Sequence, residues 1–429
     1  MNPDLQRQLV RRVLGHVEHR TTDTAARPST VAVASYLDPA GHERERTALF
    51  RDLPVAIAHG SQVPAPGDFV THDASGVPLL VVRGDDGAVS AFLNVCRHRG
   101  MRLEAASCGT RKLFACPYHA WSYARDGHLH AIPHGDGFAG IDLADRGLVR
   151  VPAAEIAGLV FVQPAARGQA SLDAELAGWL GPLTSDLDGF GLSTAEVHAP
   201  ITLVKQLSWK LAIEVFLESY HLRAAHLVDP IGPHQRNVFP RRTIRELASR
   251  PEVDWELRRH ASILFHVFPN TLVLIEPEYA TVLHVWPQGP ARTQLTAYTL
   301  LPRLPATDEE RIYWEANNSL LYGAIEDDLA KGEAIQLGLA SGANRDLVLG
   351  AFEHAIAHFH AQIDRLAGAS FAGPAASEAA AHPVPSGPQL ASHSGPHLAA
   401  RVEPVARPLE LRLAREPVQR GGSTSRSTS

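Results

Sequence analysis

Cysteine is scarce, with three in 429 residues at Cys96, Cys108 and Cys116. So few, and an odd number, cannot form a disulfide framework, and a reducing cytoplasmic setting is expected. Long apolar runs are missing too. Stretches such as Leu159 to Val162 and Leu272 to Ile275 fall well short of the roughly 18 to 20 residues that cross a bilayer, so no membrane span is expected. The first residues set Arg7, Arg11 and Arg12 among Leu5, Leu9, Val10, Val13 and Leu14, which reads as an amphipathic docking helix and not a signal peptide. Positive charge is not in excess. Lys and Arg total 40 against 46 Asp and Glu, a balance of −6, which argues against capture of nucleic acid or an anionic membrane. There is no Gly-x-Gly-x-x-Gly, no Walker motif and no repeat, so no nicotinamide or flavin domain is evident. Small-molecule chemistry is left, and the 23 histidines hint at metals or protons.

The length suggests two or three units. Residues 1–46 read as an N-terminal helix and linker. Residues 47–166 read as a small all-β domain, with short alternating runs broken by turns such as Gly84-Asp-Asp-Gly and Arg125-Asp-Gly127. Residues 167–370 read as an α+β domain. A helix is expected over Val204 to Ala225, long strands over Ser262 to Leu301, and helices near 308–337 and 345–367. Residues 371–429, rich in Ala, Pro, Ser and Gly, are expected to be disordered.

Cys96-Arg-His98 is followed after 17 residues by Cys116-Pro-Tyr-His119. Two thiolates and two imidazoles suit either a tetrahedral zinc or an asymmetrically held two-iron, two-sulfide cluster. Each segment offers one Cys and one His. Two facing loops can therefore put both Cys on one iron and both His on the other, which is the Rieske pattern. Cys108 reads as a small side chain in a loop, and His128, His130 and His134 as surface histidines.

The second constellation follows the β domain. On a regular helix Glu214, Glu218 and His221 would share a face. His226 lies five residues beyond His221, about 140° away, so the two imidazoles meet one ion only if the helix ends or bulges between them. Two imidazoles and a carboxylate would make a facial triad for Fe(II). Carboxylate candidates are Glu326, Asp327 and Asp328. Phe216, Val228, His234, Asn270, His284 and Trp286 are candidate pocket residues.

Asn94-Val-Cys-Arg-His-Arg-Gly100, Cys116-Pro-Tyr-His-Ala-Trp-Ser-Tyr123 and Glu218-Ser-Tyr-His-Leu-Arg-Ala-Ala-His226 resemble the motifs of the catalytic (alpha) subunit of Rieske non-haem iron oxygenases, the aromatic ring-hydroxylating family. The likeness covers about residues 40 to 367. It implies an all-β Rieske [2Fe–2S] domain on Cys96, His98, Cys116 and His119, and a helix-grip, antiparallel-sheet catalytic domain. There His221, His226 and Asp328 would hold mononuclear iron, with Asp327 the fallback. It implies that Glu218, where Asp is commoner, links the iron site to a cluster His of the next subunit in a head-to-tail homotrimer. Glu214 stands where many relatives carry Asn or Asp, and Ala120 where Gly is usual. The implied activity is a terminal oxygenase that uses O2 to hydroxylate, dihydroxylate or oxidatively demethylate a small organic substrate, aromatic or not. Electrons would come from NAD(P)H through a separate reductase, with or without a ferredoxin, and a small beta subunit is compatible. Two other readings compete. A bare Rieske electron carrier needs only the β domain, and a helix-grip ligand carrier with an incidental zinc would be colourless.

Overall fold

In the computed structural model, residues 1–165, 172–218, 220 and 226–368 are described. The expected disorder of 371–429 falls outside them. So does His221. The chain opens with α1 (Pro3–His19), capped by the Asn2 side chain on the Asp4 amide, with Leu9, Val10 and Val13 fully buried. The docking-helix pattern thus does what its spacing requires. β1 (Ser29–Ala32), α2 (Ala34–Leu37) and α3 (Pro39–Phe50) complete this arm.

Next come β2 (Val55–His59), β3 (Asp68–His72), β4 (Leu79–Arg83), β5 (Val89–Leu93), β6 (Cys108–Thr110), β7 (Phe114–Ala115), β8 (Ser122–Tyr123), β9 (Leu129–Ala131), β10 (Arg150–Val151), β11 (Ala153–Ile156) and β12 (Leu159–Val162). They form sheets in the orders β10-β5-β4-β3-β6, β11-β12-β2 and β7-β8-β9. The small β7-β8-β9 sheet and the loop after β5 carry the two Cys/His segments.

The second half holds α4 (Asp173–Leu180), α5 (Pro182–Asp188), β13 (Glu196–Lys205), α6 (Trp209–Leu217), β14 (Leu227–Ile231), β15 (His234–Pro240), α7 (Leu257–His260), β16 (Ala261–Val267), β17 (Thr271–Ile275), β18 (Ala280–Gly289), β19 (Arg292–Leu301), α8 (Asp308–Ala340), β20 (Asp346–Leu349) and α9 (His354–Ala367). Seven strands make one antiparallel sheet, β13-β19-β18-β17-β16-β15-β14. Both its faces are covered. Leu264, Leu272, Leu283 and Ala297 pack toward α6 and α9, whereas Val238, Ile263, Phe265 and Val273 pack toward α1, α4 and α5. That is why β18 is buried at eight consecutive residues instead of alternating.

Two boundaries differ from the sequence reading. Val204 and Lys205 end β13, and α6 begins only after Ser208, whose side chain caps the Lys210 amide. Residues 346–349 are a strand, not helix, because they pair with β1 in register Ser29↔Leu349 through Ala32↔Asp346. Both helices were expected too long because apolar residues continue into strands whose partners lie far away in sequence.

Candidate metal centres

The two Cys/His loops share a backbone plan. The Cys96 amide donates to Met101 O (2.7 Å) and the Gly100 amide to Cys96 O (3.0 Å). Likewise the Cys116 amide donates to Trp121 O (2.8 Å) and the Ala120 amide to Cys116 O (2.9 Å). Equivalent turns need the left-handed region at equivalent places, φ 78° at Gly100 and 59° at Ala120. The turns leave both Cys buried, and burial, with Cys116 alongside, raises the Cys96 thiol pKa. Tyr123 reinforces this side. The Arg97 amide donates to its hydroxyl oxygen (2.9 Å), and that hydroxyl lies 3.3 Å from Cys96 Sγ, where it would donate to a cluster-bound thiolate, which has no proton of its own.

The imidazoles sit outward and together. His98 and His119 have ring centroids 4.8 Å apart, and His98 stacks on Trp121 at 4.9 Å and 7°. His119 Nδ1 is buried without a hydrogen-bond partner. A thiol pair, an imidazole pair and an orphaned ring nitrogen fit a [2Fe–2S] cluster that takes two protein ligands per iron.

The second centre lies where α6 stops. The helix ends at Leu217 and Glu218 is extended, with φ −118° and ψ 157°. Glu214 and Glu218 therefore do not share a helical face. Glu214 is instead buried, accepting from Tyr36 Oη (2.9 Å) and His360 Nε2 (2.8 Å). Its neighbour Lys210 pairs with Glu45, which also accepts from Trp209 Nε1 (2.9 Å). Glu218 accepts from the Tyr220 amide.

His226 is 2% exposed, and burial pulls its pKa to about 4, so the imidazole is neutral and competent as a ligand. Its ring stacks on Phe239 at 4.6 Å, and Nε2 lies 3.2 Å from Asn237 Oδ1. The N-terminal arm holds its backbone. Thr22 Oγ1 both accepts from the His226 amide and donates to its carbonyl, each at 3.0 Å, and the Asp23 amide donates to the same carbonyl at 3.1 Å. Sequence reasoning missed Thr22, Asp23 and Asn237, because no local pattern connects residue 22 to residue 226.

Asp328 is half-buried on α8, and its carboxylate takes Lys331 Nζ at 2.6 Å. α8 runs antiparallel to α6. Gln336 accepts from the Ser208 amide at the start of α6 (2.9 Å), and a Cβ on Gly332 would meet Leu207 and then Val215 (3.0 and 3.8 Å). Asp328 lies one turn before Gly332 on the same face of α8. Asp327 and Glu326 are exposed. The candidate pocket residues divide. Val228 stands opposite Asn237, whereas His234 bonds Trp179 O, Asn270 bonds Ala56 O, His284 sits between Thr271 and Tyr298, and Trp286 packs on Phe50 and His72.

Comparison with known proteins adds two domain matches, a Rieske [2Fe-2S] domain over residues 54–144 and the catalytic domain of a ring hydroxylating alpha subunit over 192–369. The carnitine monooxygenase oxygenase subunit of Escherichia coli is 28% identical over 77% of this chain and 92% of its own. The glycine betaine monooxygenase oxygenase subunit of Chromohalobacter salexigens is 33% identical over 52% of this chain, a match spanning about half (49%) of that relative. Biphenyl 2,3-dioxygenase subunit alpha of Rhodococcus jostii is 31% identical over 60% of this chain and 55% of its own. A quaternary ammonium Rieske monooxygenase in complex with L-carnitine shares the fold, with TM-score 0.66 and 22% identity over 79% of this chain and 95% of that one.

Proposed function

The chain belongs to the Rieske non-haem iron oxygenases as a catalytic, alpha-type subunit, and from that membership we propose that its substrate is a small organic cation bearing N-methyl groups. As a family member it is an oxidoreductase using O2, and its two domains imply one Rieske cluster and one mononuclear iron. Cys96, Cys116, His98 and His119 would hold the cluster, and His221, His226 and Asp328 the iron. When bound, these centres supply single electrons and activate O2. Overall, one oxygen atom enters a C–H bond and the other leaves as water, using two electrons and two protons. Hydroxylation of an N-methyl group then releases aldehyde and amine.

The observation that carries the cationic substrate is the charge around His226. Glu218 acts on that imidazole, the Glu353 carboxyl pKa is raised by burial and by Glu218 and Glu214, and Asp23 is offset by its pairing with Arg12 and His16. The Glu214, Glu218 and Glu353 carboxyls together favour a positive ligand. Aromatic rings are at hand, since Tyr220 lies 4.6 Å from Phe352 and Phe239 stacks on His226. The relatives named for carnitine and glycine betaine support the same chemistry. Burial keeps His226 neutral, Thr22 and Asp23 fix its backbone, and Glu218 is the positioning residue toward a neighbouring subunit's cluster imidazole in a homotrimer. A separate NAD(P)H reductase, with or without a ferredoxin, would deliver electrons, and a small beta subunit is compatible. Among the described residues no helix is long and apolar enough to cross a membrane.

The test is iron and acid-labile sulfide per chain, followed by reductase-driven O2 uptake and aldehyde release with glycine betaine, carnitine and biphenyl. Three irons, two sulfides and aldehyde from an ammonium substrate are expected. Turnover of biphenyl alone would replace the cation with a neutral aromatic. Glu218→Gln should keep three irons yet lose turnover, and full activity in that variant would remove its positioning role.

A further inference from the structure

On the face of the large sheet that packs toward α6 and α9, a row of polar side chains runs away from His226. Asn237, 3.2 Å from that imidazole, is followed two residues along β15 by Gln235, on the same face about 7 Å further on. Gln235 stands directly opposite His266 of β16, so their side chains are neighbours on that face. All three are fully buried. Yet Gln235 Nε2, Gln235 Oε1, Asn237 Nδ2 and His266 Nδ1 have no hydrogen-bond partner. Buried polar atoms are almost always satisfied, so four orphans on one strip beside a candidate metal ligand call for something that satisfies them.

Their chemistry says what. His266 Nε2 lies 3.1 Å from Pro269 O, a group that only accepts, so Nε2 carries the proton. Burial drives the His266 pKa to about 3, leaving the ring neutral and Nδ1 an acceptor. Gln235 offers one donor and one acceptor. Phe359 packs on the His266 ring at 5.3 Å and closes its flank with apolar surface. A ligand group here must donate to His266 Nδ1 and exchange hydrogen bonds with an amide, carrying no charge. A hydroxyl meets all three conditions.

We propose that Gln235 and His266 are specificity-determining residues that receive a hydroxyl group of the substrate, set apart from the carbon that is oxidised near His226. This rests on the oxygenase reading above and deepens it.

The experiment uses the holoenzyme and matched probes differing by one hydroxyl, choline against ethyltrimethylammonium and 2-phenylphenol against biphenyl, with binding measured by calorimetry. The hydroxylated member of at least one pair should bind about tenfold or more tightly, and the ratio should fall to near one in Gln235→Met and His266→Phe. A second measurement needs no ligand. Gln235→Met removes two unsatisfied atoms at constant volume, so its ligand-free Tm should equal or exceed that of the parent. A Tm lower by several degrees would mean that ordered water makes Gln235 a structural residue, and would overturn the proposal. Equal binding within both pairs, or binding of no probe, would overturn it as well. Three irons per chain in that case leave the oxygenase reading standing, whereas two or fewer show that reading to be the one that failed.

Discussion

Ala120 occupies a backbone conformation that its twin in the other cluster loop gives to Gly100. A Cβ in the left-handed region costs roughly 1–2 kcal/mol, and replacing alanine by glycine returns about 0.4–1 kcal/mol of that as unfolded-state entropy. Ala120→Gly should therefore stabilise the protein by about 0.5 kcal/mol, read as a higher denaturant midpoint, and a lower midpoint would show that the strain is relieved elsewhere. Tyr123 offers a second residue-level test. Its hydroxyl lies 3.3 Å from Cys96 Sγ, and a hydrogen bond to that sulfur stabilises the reduced, more negative cluster. A net hydrogen bond of about 1 kcal/mol corresponds to about 40 mV for one electron, so Tyr123→Phe should lower the cluster potential by about that much. An unchanged potential would assign the tyrosine to packing alone. Residues of this kind were the most legible in the sequence. Every cluster side chain lies within four positions of a turn that orients it, so spacing alone brought Cys96 with His98 and Cys116 with His119.

At the scale of elements, the arm before β2 reaches across the fold to hold one histidine. Thr22 makes two of the three hydrogen bonds that hold the His226 backbone. Thr22→Val should leave the visible spectrum of the cluster intact while iron falls from about three to about two per chain. Thr22→Ser should restore it, and full iron in the valine variant would reduce the arm to scaffolding. Little of this was readable in advance. The periodicity of 204–225 suggested one long helix, but the Ser208 cap starts it later and it ends at Leu217, so Glu218 is extended instead of helical. Glu214, expected near the metal from its spacing, is held by Tyr36 and His360, 178 and 146 positions away. Long-range hydrogen bonds leave no periodic signature, so that part of the site is set by the tertiary fold and not by local pattern.

For the whole molecule, buried neutral histidines set the response to acid. His234 is pulled to about 4, and His266 and His284 to about 3, in each case by burial above all. Unfolded, each would titrate near 6.5. Between pH 6.5 and 4 the unfolded chain thus binds more protons than the folded one, and stability falls as pH falls. The loss is about 1.4 kcal/mol per pH unit for each histidine still neutral in the folded state. Urea midpoints at pH 7, 6 and 5 should drop steeply below 6.5, and a flat profile would mean that these rings are charged in the folded state.

The pairing of β1 with β20 bears on how the protein is made. A ribosome releases residue 29 long before residue 349, at some 5–20 residues per second, so the arm that carries Thr22 waits tens of seconds for the strand that fastens it. Until then His226 lacks its fixed backbone. A His226 that holds iron as proposed would therefore take it up late, once residues 346–349 are in place, and a nick near either strand would then act as a maturation defect before it acted as a folding one.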